Sequence, residues 1–416
     1  MLRPQPIGVF PGVAGLLVLP PVPRGEELAA GMLRGWLPRP WPAGWEFFAR
    51  ALAGEDGDAL IRRLPEGPEG IFNRFVLRPE PEVYAWAGER LGPEWQPLLD
   101  AVAWRVGLCP APPDPEGADG ELAAFLLATQ AYAALQRGDR AAGLERLRTA
   151  AGAAEEVSPV LAARLHAEWA ALCHVEAGRE DEAIGGYRRA IRLLEDSGFP
   201  EVRAELWFQL GSAYQGLAGG RKGPLLEAAR CYQEALKVFR RDTHPEAYAM
   251  AQMNLALAYL AMPPEDRAAR LRVAVAVQAL REALRVFQRD THPELWASAT
   301  LNLANALQHV PSAHPANNLR EAVALYDQVL AVRRPGEDPL GYARVLANQG
   351  NALAHLGHLA QAEPRLREAR RLFQEHGDTG AAAAVEAVLE DIGRLRRRQA
   401  TPAPAEEGGG MTRGTP

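Results

Sequence analysis

VFRRDTHPEAYAMAQMNLALAY, residues 238–259, returns nearly unchanged as VFQRDTHPELWASATLNLANAL at residues 286–307. A chain that repeats itself this closely is built from one supersecondary unit, each copy burying its apolar face only against its neighbours. Pro245 and Pro293 set the register, and weaker versions follow Pro339 (PLGYARVLANQGNAL), Pro200 (PEVRAELWFQLGSAY), Pro159 and Pro115, at spacings of 44, 41, 45, 48 and 46 residues. Each proline stands where a helix would begin, since its fixed φ and missing N–H suit the first helical position. Glu201, Glu246 and Glu294 follow at once and place a carboxylate at the positive helix end.

Each opening helix is answered by a second with the pattern E-A-x-x-x-Y-x-x-A-L. It reads Glu182, Ala183, Tyr187, Ala190, Ile191 in one unit and Glu227, Ala228, Tyr232, Ala235, Leu236 in the next. Glu321, Ala322, Tyr326, Val329 and Leu330 repeat it later. Small residues one and two turns from an aromatic let two antiparallel helices approach while the ring fills the groove. The units are helical hairpins.

These residues resemble the tetratricopeptide repeat (TPR). Trp207, Leu210, Gly211 and Tyr214, then Ala228, Tyr232 and Ala235, match its signature, with Trp207 and Tyr232 in its packing positions; Gln349 departs from it, standing where Leu is usual. The His-Pro-Glu opening and the Asn-Leu-Ala core are similar to the longer repeats of kinesin light chain and its bacterial relatives. The resemblance spans residues 115–380 and implies an all-α fold. That fold is a right-handed α-solenoid of about six hairpins, first helices inside, with an N-terminal helical cap. The expected organisation is a helical domain over 1–110, a linker over 111–120, the solenoid over 121–380, a capping helix over 381–398 and a disordered tail over 399–416. Longer turns such as QGLAGGRKGPLL and AMPPEDRAARLR account for the enlarged spacing.

Composition narrows the function. The 416 residues are 48% hydrophobic, enough for an extensive core, and the net charge of −6 carries no nucleic-acid footprint. Residues 1–110 hold 11 Arg against 13 Asp plus Glu, which argues against a DNA-reading domain. Six of the nine tryptophans fall in that region and are expected to build a compact core: Trp36, Trp41, Trp45, Trp86, Trp95 and Trp104. The apolar run IGVFPGVAGLLVLPP at 7–21 is too short to span a bilayer and reads as a buried segment. Cys109, Cys173 and Cys231 are scattered and fit free thiols in a cytoplasmic protein.

No nucleophile elbow, P-loop, dinucleotide fingerprint or metal motif is present, so neither an enzyme nor a cofactor is expected. His309, His314, His355 and His358 could in principle hold a transition metal. Helix-end polar residues are the simpler account, and no metal is assigned. What remains is a protein-interaction scaffold or adaptor that binds a peptide or partner segment. An assembly factor for a multi-subunit complex is a narrower version of it. The alternative is a peptide-sensing regulator whose solenoid changes curvature on binding.

The resemblance also implies where a peptide would lie. Gln209, Asn254, Asn302 and Asn348 precede the Leu or Gln of each first helix, with Asn305 and Asn351 one turn further on the same face. In this repeat family that face looks into the concave groove. A carboxamide donates and accepts, so a ladder of amides can pair with a peptide backbone whatever its sequence. Arg344, Met253 and Phe208 would add specificity beside it.

Overall fold

The computed structural model describes residues 1–176, 178–264, 268–310 and 312–400, with the side chains of 398–400 excepted. Its elements are all helical among the described residues, and contacts divide the chain into two units, Met1–His244 and Pro245 onward.

In the first unit six short helices come first: α1 (Gly25–Met32), α2 (Glu46–Leu52), α3 (Gly57–Ile61), α4 (Pro68–Leu77), α5 (Pro81–Gly88) and α6 (Gln96–Arg105). Three antiparallel hairpins follow. They pair α7 (Gly120–Gln136) with α8 (Arg140–Ala154), α9 (Pro159–His174) with α10 (Glu180–Leu193), and α11 (Pro200–Ala218) with α12 (Lys222–Ala235). The second unit repeats the device with α13 (Pro245–Leu260) on α14 (Ala269–Ala283), α15 (Pro293–Leu307) on α16 (Pro315–Leu330) and α17 (Pro339–His355) on α18 (Leu359–Glu375). A last helix, α19 (Thr379–Ala400), packs on α18 through Ala382, Val385 and Ile392. The fold is thus an all-α solenoid of helical hairpins. Beyond Ala400 the tail expected from 399 lies outside the described residues.

Prolines begin α9, α11, α13, α15 and α17 as their register requires. Pro115 does not open a helix. It sits in a turn closed by Ala118 N–H on Pro115 O at 3.0 Å, and α7 starts five residues later. The run QGLAGG is not a long turn either. Its first four residues extend α11 to Ala218, and Gly219 ends the helix in the left-handed conformation at φ 48°, so the added length is helical.

Hairpin packing follows the small-against-aromatic pattern. Tyr232 is fully buried on Gly211, where a Cβ would lie 2.7 Å from the ring, and its hydroxyl donates to Gln215 at 2.5 Å. Tyr326 repeats the arrangement in α16, donating to Asn305 at 2.6 Å and accepting from Gln308 at 2.7 Å. Gln349, unusual at a leucine position, is buried because Asp327 accepts its amide at 2.6 Å and Arg365 donates to its oxygen at 2.6 Å. Adjacent hairpins of the first unit are tied by Glu155, which accepts from Arg189 of α10 and from His166 of α9 at 2.7 Å.

The N-terminal region is held by amides. Residues 17–19 run through the core without regular secondary structure, with Leu17, Val18 and Leu19 fully buried, and among the described residues no strand lies beside them. Their backbone is paired by side chains. The Gln5 oxygen accepts from Leu19 N–H at 2.8 Å while its amide donates to Leu19 O at 3.0 Å. Asn73 brackets Val18 in the same way, at 2.9 and 2.8 Å. Arg3 and the Gln5 N–H converge on buried Glu121 of α7, and Arg164 of α9 donates to Gly8 O at 2.8 Å. Of the six tryptophans expected in the core only Trp45 and Trp95 are fully buried, beside Phe47, Phe48, Phe72 and Phe75. Trp36 is 56% exposed, and Trp86 is half-buried under Arg74 and Arg90. The short helices leave too little interior for all six.

Asn73→Leu leaves both backbone groups of Val18 buried without a partner. It should cost about 1–3 kcal/mol for each group, read as an earlier melt of the first unit by circular dichroism. A second outcome concerns acid. Hydrogen bonding from Arg189 and His166, against a smaller opposing effect of burial, lowers the Glu155 pKa from 4.5 to about 2. Because the folded value lies below the unfolded one, this stabilisation is complete above about pH 4.5 and is lost as pH falls toward 2. Glu155→Gln should flatten the acid limb of stability against pH in that window.

Candidate functional site

The amides of the second unit lie on its first helices. Asn254 on α13 and Asn302 on α15 are half-buried, and among the described residues neither side chain meets a hydrogen-bonding partner. Asn305 and Asn348 differ. The Asn348 amide donates to the Asn305 oxygen at 2.9 Å, and that oxygen also accepts the Tyr326 hydroxyl. These two bonds join α15, α16 and α17, so this part of the ladder fastens helix to helix. Asn351, one turn beyond Asn348, lines an open cavity of about 360 Å³ between α17 and α19 with His355, Val388 and Leu395. In the first unit Gln209 is exposed on α11.

The flanking residues divide likewise. Arg344 is exposed, with Asp378 at 3.8 Å as an ionic neighbour. Phe208 is half-buried with its ring 5.5 Å from that of Tyr232. Met253 does not border a groove. It is buried with Ala249, Ala256 and Ala276, because one residue turns it about 100° around α13 from Asn254 and into the seam with α14.

Two features escaped the sequence. Trp207, assigned there to packing alone, is half-buried and floors an open cleft of about 490 Å³ among Arg188, Arg192 and Arg203. Its signal was the run of arginines spaced along α10 beside an aromatic first helix. Arg105, at the end of α6, is held over the rings of Phe125 at 4.4 Å and Tyr132 at 5.4 Å. No local pattern announces that contact, since it joins two helices across the linker. Tyr232 is the packing residue expected of it.

Among the described residues no group of three or more His, Cys, Asp or Glu side chains is placed to hold a metal ion, so the four histidines do not converge. Cys173 and Cys231 are buried, and burial raises their thiols to about 11 and about 12, far from a reactive thiolate. No described helix is long and apolar enough to cross a membrane.

No family model and no curated protein matches the chain. Solved structures similar to it include BtubC (BKLC) from P. vanneervenii, at 18% identity and a TM-score of 0.34 over 70% of this chain and 99% of that one. The apo form of RapI is similar at 13% identity and a TM-score of 0.42, over 66% and 99% of the two chains. A STAND protein with a tetratricopeptide repeat sensor, PH0952 from Pyrococcus horikoshii, is similar at 14% identity and a TM-score of 0.40, over 90% and 57%. By its own hairpin pairing and its small-against-aromatic pattern, the chain is a helical-repeat protein. It is TPR-like in the type of its repeat.

The two kinds of amide can be separated by stability. Asn305→Ala takes the acceptor from a fully buried tyrosine and should cost about 1–3 kcal/mol in urea or thermal unfolding. Asn302→Ala should stay within about 0.5 kcal/mol of the parent.

Proposed function

We propose that the chain is a protein-interaction scaffold or adaptor, and that the first-helix face of its second unit binds an extended peptide or partner segment. The observation that carries this reading is the pair of half-buried amides Asn254 and Asn302, which meet no partner among the described residues and stand in equivalent places on successive hairpins. A half-buried carboxamide without a partner has lost part of its hydration and gained nothing in exchange, so a ligand that supplies N–H and C=O groups meets a small desolvation cost. A peptide backbone supplies both. Arg344 adds a place for an acidic side chain, and the cavity beside Asn351 a place for an apolar one. Asn305 and Asn348 act as the supporting layer, and Gln209 holds the equivalent place on a first helix of the first unit. Residues 1–110 serve in this reading as a helical cap on the repeats, and the cytoplasm is the compartment in which the scaffold works.

The test is selection of extended peptides from a display library, followed by titration of the recovered peptide against variants. Asn254→Ala and Asn302→Ala should each weaken binding about fivefold, near 1 kcal/mol, with the melting temperature unchanged. Unchanged affinity in both would remove the amide face from the binding site.

A further inference from the structure

We propose that the cleft floored by Trp207 is a second recognition site, and that it takes a short acidic segment of a partner protein. The cleft lies on the other side of α11 from the amide face. Trp207 and Gln209 are two residues apart, which turns them about 200° from each other around the helix. Its walls are second helices: Arg188, Ile191 and Arg192 come from α10 and Glu234 from α12, while Arg203 and Trp207 rise between them from α11.

The charges there are unequal in kind. Among the described residues none of the three arginines meets a carboxylate. Arg188 lies over the Tyr214 ring at 5.5 Å, Arg203 donates to the main-chain oxygen of Glu195 at 3.0 Å, and Arg192 is exposed. Of the two rim glutamates, Glu234 is already paired with Lys237 at 2.6 Å, which leaves Glu195 alone against three guanidiniums. A guanidinium offers parallel N–H groups to a carboxylate, and an indole face accepts an apolar side chain. The fitting ligand therefore alternates carboxylates with apolar groups. A nucleic-acid strand suits the cleft less well, because the rim glutamates and the net charge of −6 oppose a continuous polyanion.

The neighbouring repeat supplies an internal comparison. Trp169 also floors a cavity, smaller at about 270 Å³, between α8 and α10. Its arginines are engaged by the chain's own carboxylates: Arg148 with Glu145 at 2.9 Å, and Arg179 with Glu176 at 2.9 Å and Glu182 at 2.8 Å. The same architecture is thus self-neutralised in one repeat and left cationic in the next.

A fluorescein-labelled peptide of alternating Glu and Leu, titrated by anisotropy against the full chain, tests the proposal. The Glu/Leu peptide should bind, and its Gln/Leu counterpart should bind at least about tenfold more weakly. Arg192→Glu, an exposed change that leaves the core untouched, should weaken the Glu/Leu peptide about tenfold, with the melt unchanged. Trp207→Leu should weaken it as well, whereas Arg148→Glu in the neighbouring cavity should not. Equal binding by a folded Arg192→Glu variant would overturn the proposal. So would equal affinity for the Gln/Leu peptide, or displacement of the peptide by a single-stranded oligonucleotide that binds more tightly.

Discussion

A tyrosine buried between two antiparallel helices imposes two demands at once. The facing residue must be small enough for the helices to close on the ring, and the hydroxyl must find an acceptor, because an unpaired buried O–H costs more than the bond contributes. In the third hairpin Gly211 and Gln215 meet these demands for Tyr232, and in the fifth Asn305 meets the second for Tyr326 while Gln308 donates to the same oxygen. The rest of the solenoid depends on this seam. It spaces the helices, fixes which face of each first helix turns away from its partner, and decides which amides are already committed.

That commitment explains why the fold could be read from the sequence more fully than the site. Proline followed by glutamate marks helix starts by local chemistry, and alanine spaced around tyrosine marks the seam, so both survive in a linear string. Asn302 and Asn305 look equivalent in that string. They differ only because Tyr326 and Asn348 come from other helices to claim one of them. Met253 was misplaced for a related reason, since one residue is about 100° of helix and the apolar seam begins there. The first 110 residues were least legible. Their order rests on Gln5, Asn73 and Glu121, polar residues whose partners lie far along the chain and leave no periodic trace.

Repetition also separates geometry from chemistry. At Trp169 and at Trp207 the second helices of adjacent hairpins enclose a cleft over an aromatic first helix, and the backbone alone gives these clefts no preference. Their side chains do. Glu145, Glu176 and Glu182 silence the arginines around Trp169, while among the described residues the guanidiniums at Trp207 meet no carboxylate. A repeat scaffold can in this way carry one shape many times and assign different ligands to successive copies by changing a few charges.

The threading of residues 3–19 into the first unit sets an order on the making of the protein. Residues 3–19 leave the ribosome before Asn73, Glu121 and Arg164, which bind them in the finished fold, so the last of these ties must wait for more than a hundred and fifty later residues. Until Phe48 and Asn73 have followed, the apolar stretch IGVFPGVAGLLVLPP is in solution without its core. At typical elongation rates of about 5–20 residues per second, the wait for Arg164 is on the order of ten seconds. Helices α7 and α8 can pair by local contacts before Arg164 emerges, so the first hairpin of the repeats forms before the last tie on the segment closes.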